Sequence, residues 1–400
     1  MNSNILYIYR ANKQKAFVGR LVFAANKVTF QYAKSFIEDN HAPSINDFHL
    51  PKIKQEFSET GLTGILNVFN DALPGIWGKH VLNTIKGRKL SDAELLLEDQ
   101  KNRIGDLVFS SIAQFPDITH NFLVEPFDWA ELLAAKESIE HQDQLTEKQQ
   151  GLLKNGSGQG GARPKLTLLK DRQLYLIKLP SERDYSDDNQ ETEHATMRLA
   201  NACGINVAQT ELLAIKQQNI LLVRRFDRDE LNQSLAYLSL ASVCSVRNSS
   251  DASYLDFADE LQRRGCQEQL TELFKRMLFN VLVSNKDDHL LNHGIIYVNH
   301  KWSLSPAFDL VAGEGQSKEH SLTIGAFGKL GTLGNVLSKA SAFNLSAENA
   351  LLIVKNMLNT MRGWQPILRN AGISEHTIKS VNWAILHDDI FKDVEFLKEI

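Results

Sequence analysis

A helical apolar pattern over about Gln267 to Leu282 runs straight into a charged loop. Leu270, Leu273, Phe274, Met277, Leu278, Val281 and Leu282 recur at i, i+3, i+4, i+7, i+8, i+11 and i+12. That spacing stacks the side chains on one helical face, and a face this apolar must be buried. The pattern ends at Ser284-Asn285-Lys286-Asp287-Asp288-His289, which holds no apolar side chain. A hairpin is predicted next, Ile295 to Val298 and Trp302 to Leu304, turning at Asn299-His300-Lys301. A buried helix therefore delivers a polar loop to a fixed place, and the hairpin returns the chain to the same side.

The 400 residues exceed one ordinary domain, and 43% hydrophobic with 23% charged residues is the composition of folded globular units. No window reaches the eighteen or so apolar residues of a membrane span. The start reads as a polar lead into a strand, Ile5 to Tyr9, without the features of a secretory signal. Cys203, Cys244 and Cys266 form no CxxC pair, which suits a reducing cytoplasm. Cys203 and Cys244 sit in apolar company and read as inert core residues. A net charge of −4 gives the whole chain no electrostatic hold on nucleic acid.

Residues 1–135 mix short strands and helices; a capping box at Ser91-Asp92-Ala93-Glu94 starts one helix and a second covers Trp129 to Ile139. The polar run 136–154 reads as a connecting helix and linker. Residues 155–226 form a strand-rich lobe. A glycine-rich loop leads into strands at Leu166 to Leu169 and Leu174 to Leu179, then a helix from about Glu193 to Cys203 closed by Gly204. Strands at Thr210 to Ile215 and Ile220 to Phe226 complete it. Residues 227–400 are mainly helical, with a late helix after Ser346. The predicted class is α+β, a strand-rich lobe followed by a helical one.

The residue types suit phosphoryl transfer from ATP, which needs donors and a cation on the phosphates, oxygen ligands for Mg²⁺ and a carboxylate beside the acceptor hydroxyl. No GxxxxGK[ST] occurs, which argues against a P-loop NTPase. Asn292 follows Asp287 by five residues, the interval of the protein-kinase catalytic loop, and Asp309 lies at the far end of the hairpin. Asp287 then takes the substrate proton, while Asn292 and Asp309 hold metal. Alone, each aspartate would read as a solvated loop residue. Lys178 interrupts an apolar strand and Glu193 opens the next helix, the kinase pairing that fixes phosphates. Their plain readings are a snorkelling lysine and a first-turn acid.

The loop Gly156-Ser157-Gly158-Gln159-Gly160-Gly161-Ala162-Arg163-Pro164-Lys165 offers N–H groups and two cations to phosphates, or is a linker. Val223-Arg224-Arg225-Phe226-Asp227-Arg228 could present backbone to adenine, or be an edge strand entering a charged turn. His289, His293 and His300 lack zinc-protease spacing, and His289 reads better as a loop residue near phosphates.

At these residues the chain resembles the HipA family of bacterial serine/threonine kinases, toxins of type II toxin–antitoxin modules. The resemblance rests on Phe69-Asn70-Asp71-Ala72-Leu73-Pro74-Gly75-Ile76-Trp77-Gly78, Ile104-Gly105-Asp106-Leu107-Val108-Phe109, Gly160-Gly161-Ala162-Arg163-Pro164-Lys165, Ile177-Lys178-Leu179-Pro180, Val223 to Arg228, Asn285 to Gly294 and Leu304 to Asp309. It implies a protein-kinase-like bilobal core preceded by a small mixed α/β N-terminal subdomain. It also implies ATP and Mg²⁺ as cofactors. Gly160, Gly161, Ala162, Arg163, Pro164, Lys165, Lys178, Glu193, Arg224, Arg225, Phe226, His289, Leu290, Leu291, Asn292, Phe308 and Asp309 would line the nucleotide site.

The implied substrate is a protein serine, in known members one on an aminoacyl-tRNA synthetase. The implied partner is a HipB-like helix-turn-helix antitoxin, with DNA reached only through it. Autophosphorylation of Ser157, the loop's one hydroxyl, would add charge beside the ATP phosphates and eject the loop. Many relatives carry two serines there, whereas Gly158 follows Ser157 here; Gly75 and Asp106 also replace usual residues. A kinase-fold small-molecule phosphotransferase and a non-catalytic, antitoxin-binding co-repressor are the competing readings.

Overall fold

The computed structural model describes every residue except 1–3, 12–14, 99, 119–121, 155, 157, 183, 185–187, 247, 249–250, 316 and 399–400. The chain forms two units, Met1–Arg183 with Leu213–Leu238, and Asp184–Leu212 with Ser239–Ile400.

The first unit opens with β1 (Asn4–Arg10), β2 (Phe17–Ala24), β3 (Lys27–Tyr32), α1 (Lys34–Glu38) and β4 (Glu56–Glu59). It continues through α2 (Asn67–Asp71), α3 (Ile76–Lys86), α4 (Asp92–Leu95) and β5 (Leu107–Ser110). The strands make an antiparallel sheet in the order β4-β3-β2-β1-β5. In β3, Val28, Phe30 and Tyr32 are buried at every second position, the strand period. Phe30, Tyr32, Phe36, Phe57, Phe69 and Phe109 pack ring on ring with centroids 4.7–6.4 Å apart. The capping box expected at Ser91 is present on α4: its hydroxyl accepts from Glu94 N at 3.4 Å and the Glu94 carboxylate accepts from Ser91 N at 2.8 Å.

A second sheet follows, built from β6 (Leu123–Val124), β7 (Lys165–Lys170), β8 (Gln173–Lys178), β9 (Thr210–Ile215) and β10 (Gln218–Arg224), in the order β6-β7-β8-β10-β9. Part of β9 belongs to this unit. The segment 136–154 supplies the end of α5 (Trp129–Glu140) and all of α6 (Glu147–Lys154). Trp77 and Val81 of α3, Leu132 and Ile139 of α5 and Leu153 of α6 cover one sheet face. Beneath them lie Leu166, Leu168, Ile177, Leu179, Ile220 and Leu222. The register sets Ile177 opposite both Leu166 and Leu222, so these alternate residues share one face. Lys178, one residue on, points to the other.

The two sheets are tied by buried charge. Arg225 donates to both Asp227 carboxylate oxygens, at 2.9 and 2.7 Å, and to the carbonyls of Asn102 and Arg103, at 2.7 and 2.8 Å. Arg228 donates to Asp227 at 2.6 Å and to the carbonyls of Lys101 and Arg103, and Gly105 N donates to Asp227 at 3.1 Å. Burial alone would raise the Asp227 pKa, but the Arg225 and Arg228 charges outweigh it and hold it to about 2. A carboxyl depressed from its ordinary 3.8 stabilises fully above that value and loses the contribution as pH falls through the folded pKa. In urea melts, about 2 kcal/mol of pH dependence between pH 5 and pH 2 is expected to be missing from Asp227→Asn. An unchanged pH slope in that variant would sink the assignment.

The second unit holds α7 (Asn189–Ala202), the end of β11 (Tyr237–Ser239), α8 (Leu240–Cys244), α9 (Tyr254–Arg263), α10 (Leu270–Leu282), β12 (Gly294–Val298) and β13 (Lys301–Leu304). It continues with α11 (Leu333–Leu337), α12 (Ala347–Met361), α13 (Trp364–Asn370) and α14 (Glu375–Ser380). The seven apolar residues that announced α10 are at most 1% exposed, and Arg276, Phe279 and Asn280 are buried too, so the helix is enclosed on all sides from Arg276 onward. Helix α7 begins at Asn189, four residues before the expected start, because Asp188 caps it by accepting from Glu191 N at 3.0 Å. Gly204 takes the expected left-handed conformation after it, at φ 72°.

Cys203 and Cys244 are half-buried, a correction to the core position expected of them; Cys266 is buried. Burial still pushes the Cys203 thiol up to about 12, which keeps it protonated and unreactive. No helix among the described residues is long and apolar enough to cross a membrane.

Candidate active site

Helix α10 ends where Ser284 turns left-handed, at φ 52°, and the loop after it is braced from below. Asn285 Nδ2 donates to Asn280 Oδ1 at 3.0 Å, Asn280 Nδ2 donates to the Tyr254 hydroxyl at 2.9 Å, and that hydroxyl donates to Asp288. His293 Nε2 lies 2.9 Å from the same carboxylate. All five residues are at most 3% exposed. Burial would raise the Asp288 pKa, yet the His293 and Tyr254 contacts bring it below its ordinary value.

The adjacent aspartates thus separate: Asp288 is locked inside and Asp287 is exposed. Asn292, buried at the end of the short 3₁₀ turn Leu290–Asn292, donates to the Asp287 carbonyl at 3.5 Å. Leu290 is buried, Leu291 is exposed, and half-buried His289 carries a buried Nδ1 without a hydrogen-bond partner. His320, another buried ring near this loop, is held down to about 4 by burial and stays neutral. His300 is exposed in the hairpin turn.

The hairpin forms where expected, with a turn one residue shorter: Lys301, expected in the turn, opens β13 and leaves Asn299 and His300 to turn the chain, both at positive φ. Val298 pairs with Lys301 and Ile295 with Leu304, and Ser305 N donates to Gly294 O at 3.0 Å, two residues from Asn292. Ala307 is pinned by Asn206 and Ala208 at 2.8 and 2.9 Å, and Phe308 and Asp309 follow, both half-buried. Asp309 has φ 59°, a left-handed conformation that costs energy in a non-glycine residue and often marks a functional position. Ala312 N donates to Thr196 Oγ1 of α7 at 3.0 Å, one turn from buried Glu193. Gly313 N then donates to Val283 O, and Lys286 N to Glu314 O. The segment carrying Asp309 therefore runs beside the loop carrying Asp287.

In the first unit, Lys178 is 8% exposed and paired in register with Lys165. Gly160, Gly161 and Ala162 are exposed, Arg163 half-buried and Pro164 buried, its carbonyl accepting from Leu179 N at 3.0 Å. Arg224 meets Glu230 at 3.3 Å, and the Phe226 ring is 6.2 Å from Tyr237. Arg225 is engaged in the buried cluster described above. Ser157 lies outside the described residues. Tyr254, Asn280, Asp288 and His293 were not singled out in the sequence as a brace. Only the buried helix beside them hinted that one was needed.

Among the described residues no group of three or more His, Cys, Asp or Glu side chains is placed to hold a metal. Asn292 and Asp309 offer a carboxamide and a carboxylate, the few hard oxygen donors that Mg²⁺ takes when phosphates complete its shell. The donor set fits that cation and suits zinc poorly.

Comparison with known proteins decides the family. The model of the HipA-like C-terminal domain matches residues 157–364, more than half of the chain. This chain belongs to the HipA family. A Haemophilus influenzae protein named "Putative kinase" is 29% identical over 192 residues, 42% of this chain and 54% of its own length. A Sinorhizobium fredii protein named "Putative kinase Y4dM" is 27% identical over 154 residues, 34% of this chain and 37% of its own. The chain thus spans about half or less of the curated relatives it matches. A chain of the solved Shewanella oneidensis MR-1 toxin–antitoxin complex of HipA, HipB and operator DNA matches over 98% of both chains, with TM-score 0.72 and 15% identity. That likeness concerns the fold: this HipA-family chain has the α+β, kinase-like class expected of it.

Proposed function

We propose that this chain is an ATP- and Mg²⁺-dependent protein serine/threonine kinase that acts as a HipA-type growth-inhibiting toxin. The observation that carries the reading is the loop after α10, where buried Asp288 anchors the backbone and leaves Asp287 exposed, with Asn292 at its end and Asp309 on the segment alongside. In this reading Asp287 accepts the hydroxyl proton as the serine oxygen bonds to the γ-phosphorus and the bond to the ADP oxygen breaks. Asn292 and Asp309 hold magnesium, which when bound neutralises charge on the transferred group. Lys178 and Glu193 take the roles of the phosphate-binding lysine and its glutamate. Gly160 to Lys165, Arg224, Phe226, His289 to Asn292 and Phe308 are the proposed nucleotide contacts.

The proposed substrate is a protein of the translation machinery such as an aminoacyl-tRNA synthetase. The proposed partner is a HipB-like antitoxin, consistent with the partner named in the Shewanella complex. Autophosphorylation of Ser157 and a cytoplasmic location complete the proposal.

The test is incubation of purified protein with Mg·ATP and a cell extract, followed by mapping of phosphorylated sites. Phosphoserine or phosphothreonine on extract proteins, absent with Asp287→Asn, is the expected result. Label confined to small molecules would replace it with a small-molecule phosphotransferase. Nucleotide binding without turnover would leave a non-catalytic co-repressor.

A further inference from the structure

The glycine-rich loop does not stand alone. Gly75 N donates to Gln159 O at 2.9 Å and Trp77 N to Gly161 O at 3.4 Å, so the first turn of α3 holds two loop carbonyls. The N–H groups at a helix start have no partner within the helix, and here loop carbonyls satisfy two of them. The approach is as close as main chains allow. A Cβ on Gly75 would lie 2.1 Å from both the nitrogen and the oxygen of Gly161. Gly75 has an ordinary φ of −68°, so glycine is required there for space and not for conformational freedom.

The geometry of the peptide unit gives this contact a consequence. In a planar trans peptide the C=O and the N–H point in opposite directions. The Gln159 carbonyl shares its peptide with Gly160 N–H, and the Gly161 carbonyl shares its peptide with Ala162 N–H. Fixing the two carbonyls on α3 turns these two N–H groups to the opposite side, where Gly160 and Ala162 are exposed. Among the described residues neither N–H donates to main chain. Two donors presented together on a glycine-bearing loop make a concavity suited to a phosphate chain.

We propose that the start of α3 is a latch that holds the glycine-rich loop with the Gly160 and Ala162 N–H groups aimed at nucleotide phosphates, and that Gly75 is a positioning residue for ATP. The latch rests on the kinase reading for its ligand, but its effect on the loop does not.

Gly75→Ala is expected to push the loop off α3. Amide exchange over 158–163 should speed up at least tenfold, and affinity for Mg·AMP-PNP, measured by calorimetry, should fall about tenfold or more. Any residual activity should show its loss in KM for ATP more than in kcat. The control Gly151→Ala, on α6 with open space around its Cβ, should leave both readouts unchanged. Wild-type exchange and affinity in a folded Gly75→Ala protein would overturn the latch. If wild type binds no nucleotide the kinase reading fails, and the exchange comparison alone decides the latch. Should Gly75→Ala not fold, the wild-type Gly75 and Trp77 amides decide: protection supports the latch, and exchange at the rate of an open chain overturns it.

Discussion

Asp287→Asn is expected to lower phosphoryl transfer by about 10²–10⁴-fold, the usual contribution of a positioned general base, while thermal stability changes by about 1 kcal/mol or less. The asymmetry follows from exposure. Asp287 is exposed, where a substrate hydroxyl can reach its carboxylate and where an isosteric amide disturbs little buried packing. Asp309→Asn should match it in activity, because a neutral amide on the left-handed position keeps the backbone but gives up the charge of the proposed magnesium ligand. Turnover in a radiolabel assay and melting temperature should be read on the same preparations. A stable Asp287→Asn protein that still phosphorylates at the wild-type rate would end the assignment.

The neighbouring residue should behave in the opposite way. Asp288→Ala strips the partner from the Tyr254 hydroxyl and from the His293 ring, both at most 3% exposed. Removing one member of a buried charged network costs about 3–5 kcal/mol, because the groups left behind stay desolvated. Urea unfolding should show that loss, against almost none for Asp287→Asn. Tyr254→Phe should cost about 1–3 kcal/mol, and the double variant should lose less than the sum. The Asp288 carboxyl is depressed below its ordinary 3.8, so its contribution is complete above that pH and fades as pH falls through the folded value. Additive losses in the double variant, or an Asp288→Ala protein as stable as wild type, would show the network to be incidental.

Comparing these two aspartates shows what was legible in the sequence. The apolar period of α10, the polar stop after it and the hairpin were all readable, because each is a local pattern whose physics acts within a dozen residues. The residue types at 287, 292 and 309 were readable for the same reason. Asp288 is drawn inside by His293, five residues away, and by Tyr254, 34 residues away, and the second of these partners has no local signature. The later start expected of α7 has a local cause: Asn189-Gln190-Glu191-Thr192 is polar and carries no apolar period, while the cap at Asp188 sets the first turn there. The sequence around Arg225 reads as a strand end, and nothing local says that its guanidinium reaches the carbonyls of Asn102 and Arg103. In the sequence Gly75 stands out only as a departure from a motif, and its reason lies 86 residues downstream, against Gly161.

The buried arginine cluster bears on how such a protein can be dissected or inherited. Four hydrogen bonds to the carbonyls of residues 101–103 and one from the Gly105 amide engage Arg225, Asp227 and Arg228, at and just past the end of the strand-rich lobe. A fragment beginning near residue 155 would expose two guanidinium groups and a carboxylate shaped for a backbone no longer there. The opening third of the polypeptide is thus less an appendage than a wall of the same room, and recombination that swaps it must carry its matching wall along.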